Sequence, residues 1–267
     1  MTAVAVLLSM ASLVSGCREA IERGLIYHPV RELPGDPSSI GLPFRDVAFP
    51  AQDGTRLHGW LVGGRTATTL LWCHGNAGNI GHRLDNIRLF VEQLGVGVFI
   101  FDYRGYGRSA GVPTEAGLVS DALGARAALL REGVAADQIV FFGRSLGAAV
   151  AIDLALVHPP RALILESPFL SVPAMANRVL PGIGSLLRTR WDSIGKIPRL
   201  RAPLLILHGD RDEVVPYAHG QALFAAAPEP KIFYTIGGAS HNDTYLAGPD
   251  YWDTWRRFLR ISATPHG

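Results

Sequence analysis

Runs of consecutive apolar residues alternate with amphipathic stretches along most of the chain. The apolar runs are short, and they cover residues 69–73, 96–101, 139–142, 162–165, 204–207 and 232–236. Strands that are apolar on both faces are typical of a parallel sheet covered by helices. Helical stretches lie between them, at residues 82–94, 115–132, 146–157, 217–226 and 251–259. This alternation predicts an α/β fold with a mostly parallel central sheet and helices on both faces.

Two segments depart from the alternation. Residues 47–49 and 57–62 flank a turn at residues 52–55, whose Asp-Gly pair is typical of a hairpin. At about residues 168–200, a longer insertion punctuated by proline and glycine replaces the expected crossover helix. We interpret this insertion as a short lid over one end of the sheet. No repeat or interdomain linker interrupts residues 44–262, which are predicted to form one domain.

The N-terminal segment has a different character. Residues 1–16 are apolar or small and uncharged, which is the size of a signal-peptide apolar region and shorter than the roughly 20 residues of a membrane-spanning helix. The sequence Val14-Ser15-Gly16-Cys17 resembles a bacterial lipoprotein signal, in which the cysteine carries the lipid. We therefore expect a signal peptide or hydrophobic anchor at residues 1–16, lipidation at Cys17 and a tether with little structure at residues 17–43. This predicts membrane anchoring in the bacterial cell envelope, or a cytoplasmic protein if the segment is not a signal.

Composition narrows the function classes. The 267 residues are 48% hydrophobic and 18% charged, with a formal net charge of +2. Such a chain is too hydrophobic for intrinsic disorder, and it lacks the charge imbalance of a nucleic-acid-binding protein. Its two cysteines, Cys17 and Cys73, provide neither a disulfide scaffold nor a thiolate zinc site. Without a phosphate-binding loop or a clustered metal-ligand motif, no cofactor and no metal are expected.

The pattern Gly-x-Ser-x-Gly occurs twice, around Ser109 and around Ser145. A nucleophilic serine of this pattern needs a strand that leads directly into it and a helix that starts directly after it. Ser145 meets both requirements, because a strand at residues 138–142, apolar from residue 139 onward, leads into it and an alanine-rich helix follows. Ser109 lies six residues beyond the end of its strand, and Pro113 prevents a helix there. We therefore predict Ser145 as the nucleophile and Ser109 as a loop residue.

A nucleophilic serine needs a base, and the base needs an acid that orients it. His241 follows the last apolar strand on a glycine-containing loop, at the edge of the sheet where ligands gather in open α/β folds. The preceding strand leads to Asp210, Asp212 and Glu213. We predict Asp212 as the acid and Asp210 as a turn residue, which gives the chain order Ser145, Asp212, His241.

The same chemistry requires two N–H groups for the negative oxygen that develops on the attacked carbonyl. The main-chain N–H of Leu146, at the start of the helix after Ser145, is the first expected donor. The loop at residues 74–79 provides the second. We favour Asn76 there, with Ala77 as the alternative.

Together these motifs resemble the α/β-hydrolase superfamily, and the similarity extends over residues 44–259. The closest resemblance is to the short-cap group that contains serine-aminopeptidase-like hydrolases and membrane-tethered acyl-protein thioesterases. The resemblance implies an α/β-hydrolase fold, Ser145 as nucleophile, Asp212 as acid, His241 as base, and Asn76 with Leu146 as oxyanion donors. The motifs that carry it are HGNAGN, FDYRGYGRS, GRSLGAAVA, ESPF, LLILHGDRDEVVP and GGASHND.

The expected function is therefore a serine hydrolase that cleaves a carboxylic ester or thioester of a small-molecule or acyl substrate. A peptidase of the aminopeptidase type or an acyltransferase could use the same three residues, and a non-catalytic binding protein could keep the fold. Dehalogenases and epoxide hydrolases are disfavoured because they use aspartate where Ser145 stands. We expect membrane attachment through the N-terminus and no nucleic-acid partner, and the sequence leaves the oligomeric state open.

Overall fold

An eight-stranded sheet forms the centre of the protein, whose computed structural model describes residue 16 and residues 18–262. A separate pair, β1 with β5, forms a small two-stranded sheet. In chain order the strands are β1 (His28–Pro29), β2 (Phe44–Pro50), β3 (Arg56–Val62), β4 (Thr69–Cys73), β5 (Ala77–Gly78), β6 (Gly97–Asp102), β7 (Ile139–Arg144), β8 (Ala162–Glu166), β9 (Leu204–Gly209) and β10 (Lys231–Ile236).

The large sheet is mostly parallel, with the order β10-β9-β8-β7-β4-β6-β3-β2. Only β3 runs against its neighbours within this sheet, since it pairs antiparallel with both β2 and β6. The β2–β3 pair is the predicted hairpin, with Phe44 opposite Val62 and Pro50 opposite Arg56. The predicted α/β class and mostly parallel sheet are confirmed.

Helices cover both faces of the sheet. In chain order they are α1 (residues 18–26), α2 (Leu84–Leu89), α3 (Glu115–Arg131), α4 (Leu146–Val157), α5 (Val172–Val179), α6 (Ser193–Lys196), α7 (Tyr217–Ala226) and α8 (Pro249–Ile261). The single helix predicted at residues 82–94 is instead a 3-10 turn at Ile80–Arg83, then α2, then a π-helical turn at Phe90–Leu94. The Asn79 side chain causes the tight start, because it accepts a hydrogen bond from the Gly81 N–H at 3.0 Å.

Neighbouring strand residues pack on opposite faces of the sheet, as the two-residue period of a strand requires. Leu71 of β4 and Phe99 of β6 belong to the core that includes side chains of α3 and α4. Leu70 and Val98 belong to the core on the other face, with side chains of α2 and α8. All four are fully buried. This double coverage explains why the central strands are apolar at almost every position.

The loops that carry the candidate residues leave one edge of the sheet. Strands β4, β7, β8, β9 and β10 are consecutive neighbours and all run parallel. Asn76 follows β4, Ser145 follows β7 directly, Asp212 follows β9 and His241 follows β10. Because parallel strands end at the same edge, these side chains come from distant parts of the sequence to one end of the sheet.

Residues 17–43 were predicted to be a tether with little structure, and the structure corrects this prediction. Residues 18–26 form α1, and β1 after it pairs with β5 in the loop that contains Asn76. Glu22 of α1 is buried and accepts hydrogen bonds from the N–H groups of Arg188 and Thr189 at 3.0 and 3.1 Å. The prediction was wrong because main-chain pairing and polar contacts hold this segment, and neither produces an apolar period in the sequence.

Residues 1–15 and Cys17 lie outside the described part of the chain. The signal peptide and the lipidation of Cys17 therefore stay predictions. Within residues 18–262, no helix is both long enough and apolar enough to cross a membrane.

The insertion at residues 168–200 contains α5, a 3-10 turn at Ile183–Leu186 and α6. Its loop at residues 188–191 is fixed to the body of the protein. The N–H groups of Arg190 and Trp191 donate to the Glu115 carboxylate at 2.7 and 2.8 Å. The buried Trp191 indole donates to the Tyr27 hydroxyl at 3.0 Å. The insertion and the N-terminal segment are therefore joined to each other and to α3.

Candidate active site

Ser145 occupies a sharp turn between β7 and α4. Its backbone has φ 53° and ψ −119°, a conformation that costs a non-glycine residue about 1–3 kcal/mol. The two glycines of the motif allow the close packing that this turn requires. A Cβ on Gly143 would lie 2.3 Å from the Gly147 carbonyl oxygen, and one on Gly147 would lie 1.9 Å from the Cys73 carbonyl oxygen. No side chain fits at either position, so the pattern serves the geometry of the turn.

Ser109, in the second copy of the pattern, is fully buried away from this turn. Its hydroxyl donates to the main-chain carbonyl of Asp102 at 2.6 Å and accepts from the N–H of His58 at 3.0 Å. Both contacts are with main-chain groups, so Ser109 links the loop after β6 to β3.

Asp212 and His241 lie in hydrogen-bond contact, with 2.8 Å between Asp212 Oδ2 and His241 Nδ1. The other carboxylate oxygen, Oδ1, accepts from the N–H groups of Val214 and Val215 at 3.0 and 2.8 Å. Burial alone raises the pKa of Asp212, but hydrogen bonds from His208, His241 and Val215 outweigh it and hold that pKa well below its usual range. The Asp212 side chain is therefore a fixed anion, and it leaves His241 Nε2 for other chemistry.

The loop that carries His241 is held at several points. The Glu213 carboxylate accepts from the His241 N–H at 3.1 Å, and Asp210 accepts from the Gly238 N–H at 2.6 Å. Arg144, next to Ser145, donates to the His241 carbonyl oxygen. Asp210 thus contacts the main chain of the His241 loop and not the His241 side chain, which agrees with the structural role predicted for it.

Arg144 and Glu166 were missed by the sequence reasoning. Their side chains are buried and form an ion pair, with 3.1 Å between Arg144 Nε and Glu166 Oε1. Glu166 also accepts from the hydroxyls of Thr244 and Tyr251 at 2.7 and 2.6 Å, so the network connects the Ser145 turn to the loop after His241. A signal was present in the sequence, since each charged residue ends a strand that is otherwise apolar.

The Asn76 loop is fixed by contacts that do not use the Asn76 main-chain N–H. The Asn76 carbonyl accepts from the His28 N–H at 3.0 Å and from the Tyr106 hydroxyl at 2.7 Å. The Asn76 side-chain amide donates to the Ile26 carbonyl at 3.0 Å. Leu146, the other expected oxyanion donor, is the first residue of α4. The loop is therefore held at several points, and two of its three partners, His28 and Ile26, come from the segment that was predicted to be a tether.

A cavity of about 380 Å³ brings the candidate residues together, and we name it the polar cavity because most of its lining residues are polar or charged. Ser145 and His241 line it, together with Asn76 and the alternative donor Ala77. Asp212 lies behind His241 with its side chain fully buried. Among the described residues, no group of three or more His, Cys, Asp and Glu side chains is arranged to hold a metal ion.

A second cavity of about 550 Å³ opens at the same serine and is mainly apolar. It shares Ser145, Asn76 and Val214 with the polar cavity. Its walls come from α1, α5 and the rest of the insertion, and they include Ile26, Phe169, Val172, Met175, Ala176, Ile183 and Leu187. The site thus has a polar side and an apolar side, with Ser145 at the junction.

Comparison with known proteins gives the family. The serine aminopeptidase S33 family matches residues 64–196. The uncharacterized protein Rv2307c of Mycobacterium tuberculosis is 39% identical over 249 residues, which cover 91% of this chain and 88% of that protein. The α/β hydrolase domain-containing protein WAV2 of Arabidopsis thaliana is 36% identical over 270 residues, which cover 90% of this chain and 88% of that protein. The chain belongs to the α/β-hydrolase superfamily.

A solved structure agrees with this membership at the level of the fold. The Pyrococcus furiosus esterase Pf2001 superposes on this α/β hydrolase with a TM-score of 0.73 and covers 88% of this chain and 98% of its own. The sequences are 19% identical, so the likeness shows the fold alone. The family and the fold together make this protein an enzyme of the hydrolase class.

Proposed function

We propose that this hydrolase cleaves carboxylic esters or thioesters through an acyl-enzyme on Ser145. The observation that carries the proposal is the apolar cavity that opens at Ser145, because it offers an acyl chain a water-excluding surface beside the nucleophile. The strained backbone of Ser145 is a second support, since such strain persists where the surrounding structure holds a residue for function.

In the proposed mechanism, His241 takes the proton of the Ser145 hydroxyl as its oxygen attacks the carbonyl carbon. Asp212 holds the His241 ring in the required tautomer through Nδ1 and stabilises the imidazolium that forms. The N–H groups of Asn76 and Leu146 stabilise the oxyanion, a contribution of about 3 kcal/mol per donor. His241 then gives its proton to the leaving alcohol or thiol, and water releases the acid by the same steps in reverse.

The charges around the site favour an ester or thioester over the substrate of an aminopeptidase. An aminopeptidase substrate carries an ammonium group near the scissile bond, and such a group needs a carboxylate partner. The polar cavity is lined by Arg83 and Arg144, and no described acidic residue lines it. Glu22 lines the apolar cavity, but its carboxylate is occupied by the N–H groups of residues 188 and 189.

An acyl-chain series tests the proposal. We expect kcat/KM for 4-nitrophenyl esters to rise from acetyl through butyryl to octanoyl by up to about fourfold per methylene group, the equivalent of ~0.8 kcal/mol of apolar burial. The matched octanoyl thioester should be hydrolysed as well, and the octanoyl anilide much more slowly. Steady-state kinetics with the ester, the thioester and the anilide, whose leaving atoms are oxygen, sulfur and nitrogen, measure these rates. Faster hydrolysis of an amino-acid anilide than of any ester would contradict the proposal.

A variant of the cavity wall supplies the control. Ala176 lies on α5 and lines the apolar cavity, so Ala176→Phe fills part of it. We expect this change to lower kcat/KM for the octanoyl ester several-fold more than for the acetyl ester. An equal loss for both chain lengths would mean that the acyl chain does not occupy this cavity.

We also propose that the protein is attached to a membrane through a lipid on Cys17. Support comes from the apolar residues 1–16 in the sequence and from exposed apolar side chains at the mouth of the apolar cavity, which suit a hydrophobic surrounding. These side chains are Leu25, Val179, Leu180 and Val214.

Mass spectrometry of protein expressed in a bacterium that processes lipoproteins tests this attachment. We expect a mature chain that begins at Cys17, carries a diacylglyceryl group and sediments with membranes. The Cys17→Ser variant should lose the lipid and the sedimentation while it keeps ester hydrolysis in detergent. An unmodified Cys17 in membrane-bound wild-type protein would be incompatible with the proposed attachment.

A further inference from the structure

The polar cavity beside Ser145 is lined by two arginines, and only one of them has a carboxylate partner. Arg83, Arg144 and His82 line it, and no Asp or Glu of the described chain does. Arg144 is paired with Glu166 at 3.1 Å. Arg83 has no carboxylate within ion-pair distance among residues 18–262, so of the two arginines that line the cavity it is the one whose charge is unpaired.

The Arg83 guanidinium is held close to the reaction centre. Arg83 ends the 3-10 turn Ile80–Arg83, and its Nη2 donates to the Ala77 carbonyl at 2.6 Å. Ala77 directly follows Asn76, the expected oxyanion donor. Burial and the nearby charge of Arg144 lower the pKa of Arg83 to about 10. The guanidinium is still charged at neutral pH, and it is half-buried, so it stays accessible to a ligand in the cavity.

The two cavities divide a substrate into two parts at Ser145. If the acyl chain occupies the apolar cavity, the alcohol or thiol that leaves must occupy the polar one, where Arg83 lies. A guanidinium matches a carboxylate or a phosphate with two parallel hydrogen bonds, and such charge-assisted bonds are the strong ones.

We propose that Arg83 binds an anionic group, a carboxylate or a phosphate, on the leaving alcohol or thiol of the substrate. The inference rests on the proposed function, since it assigns the leaving-group side of the same ester or thioester. It makes Arg83 a determinant of specificity: the enzyme acts on acyl esters whose leaving group is negatively charged close to the scissile bond.

Matched esters test this assignment. We compare kcat/KM for the butyryl esters of 4-nitrophenol, of the same phenol with an added carboxylate, and of a phenol with a trimethylammonium group. Each value is divided by the rate constant for hydrolysis of the same ester by hydroxide, which corrects for its intrinsic reactivity. We expect wild-type kcat/KM to favour the carboxylate ester over the cationic one by at least about tenfold. A second comparison uses the butyryl ester of glycerol 3-phosphate and the butyryl ester of glycerol. If the preference for the phosphate ester exceeds the preference for the carboxylate ester, the site is a phosphate site, and the opposite order makes it a carboxylate site.

Three arginine variants locate the effect. Arg83→Gln should lower the preference for the anionic esters about tenfold, whereas Arg83→Lys should retain part of it, because the charge remains while the second parallel hydrogen bond is lost. Arg88→Gln is the matched control, since Arg88 lies on the adjoining α2, is exposed and pairs with Asp85 at 3.2 Å. It should leave the preference unchanged. An equal loss for all esters in both Arg83 variants would overturn the proposal and leave Arg83 only a holder of the Ala77 loop.

Binding of the released phenols separates this inference from the proposed function. Calorimetry with Ser145→Ala protein, which needs no turnover, should show tighter binding of the carboxylate-bearing nitrophenol than of 4-nitrophenol. The added Arg83→Gln change should abolish that difference. Equal affinity for the two phenols overturns the anion site even if esters are hydrolysed, whereas a clear difference supports it even if none of the esters is a substrate.

Discussion

Replacement of Ser145 by alanine is expected to lower kcat for 4-nitrophenyl butyrate by at least about 10⁴-fold, with little change in the melting temperature. The hydroxyl oxygen is the atom that forms the acyl-enzyme, so its removal leaves only what the cavity and the oxyanion donors contribute. The fold should tolerate the change, because alanine keeps the Ser145 backbone and its N–H, which donates to the Glu166 carbonyl at 2.9 Å. Steady-state kinetics and thermal unfolding measure the two expectations.

Ser109→Ala is the matched control, since it removes a hydroxyl from the same sequence pattern. It should lower the free energy of unfolding by about 1–3 kcal/mol, because the buried N–H of His58 loses its acceptor at 3.0 Å. Activity per folded molecule should stay within about twofold of wild type, since the Ser109 hydroxyl contacts main-chain groups outside the reaction centre. Activity that survives in Ser145→Ala and disappears in Ser109→Ala would contradict the choice of nucleophile.

Asp212→Asn is expected to lower kcat by about 10⁴-fold, the effect of placing the catalytic histidine in the wrong tautomer. The N–H groups of Val214 and Val215 require an acceptor at Oδ1, which directs the new amide NH2 toward His241. Two donors cannot bond each other, so the hydrogen must leave His241 Nδ1 and sit on Nε2. That nitrogen could then no longer take a proton from Ser145.

Asp210→Asn provides the comparison for the acid. Its Oδ1 accepts only from the Gly238 N–H in the contacts described above, at 2.6 Å, and an asparagine oxygen can do the same. We expect activity within a few-fold of wild type and a small change in melting temperature. Equal losses in the two aspartate variants would remove the basis for choosing Asp212.

Much of the fold could be predicted because the central strands are apolar on both faces. Short apolar runs such as Leu204-Leu205-Ile206-Leu207 are typical of buried parallel strands. The order of strands and helices along the chain follows from these runs. The turn at Ser145 could be predicted for a different reason. A side chain at either glycine would lie less than 2.5 Å from a main-chain oxygen, so both positions require glycine. Such a requirement leaves a fixed pattern in the sequence.

The remainder of the site depends on contacts that leave no pattern. The apolar cavity is walled by side chains from α1, α5 and the loop at Val214, and only the folded chain brings these segments together. The N-terminal segment is held in place by Glu22 of α1 and by main-chain pairing of β1 with β5. Neither contact is visible in the composition, which therefore indicated a tether. Arg83 lies in a helix-like stretch where a charged residue is ordinary, and only the cavity identifies its role.

Reaction with a fluorophosphonate probe tests the central claim most directly, because the probe bonds covalently to an activated serine and reports where it did so. After proteolysis and mass spectrometry, we predict one adduct per molecule on Ser145, fully prevented by Ser145→Ala and strongly slowed by Asp212→Asn. An adduct on Ser109, or a folded wild-type protein that takes up no probe, would contradict the account.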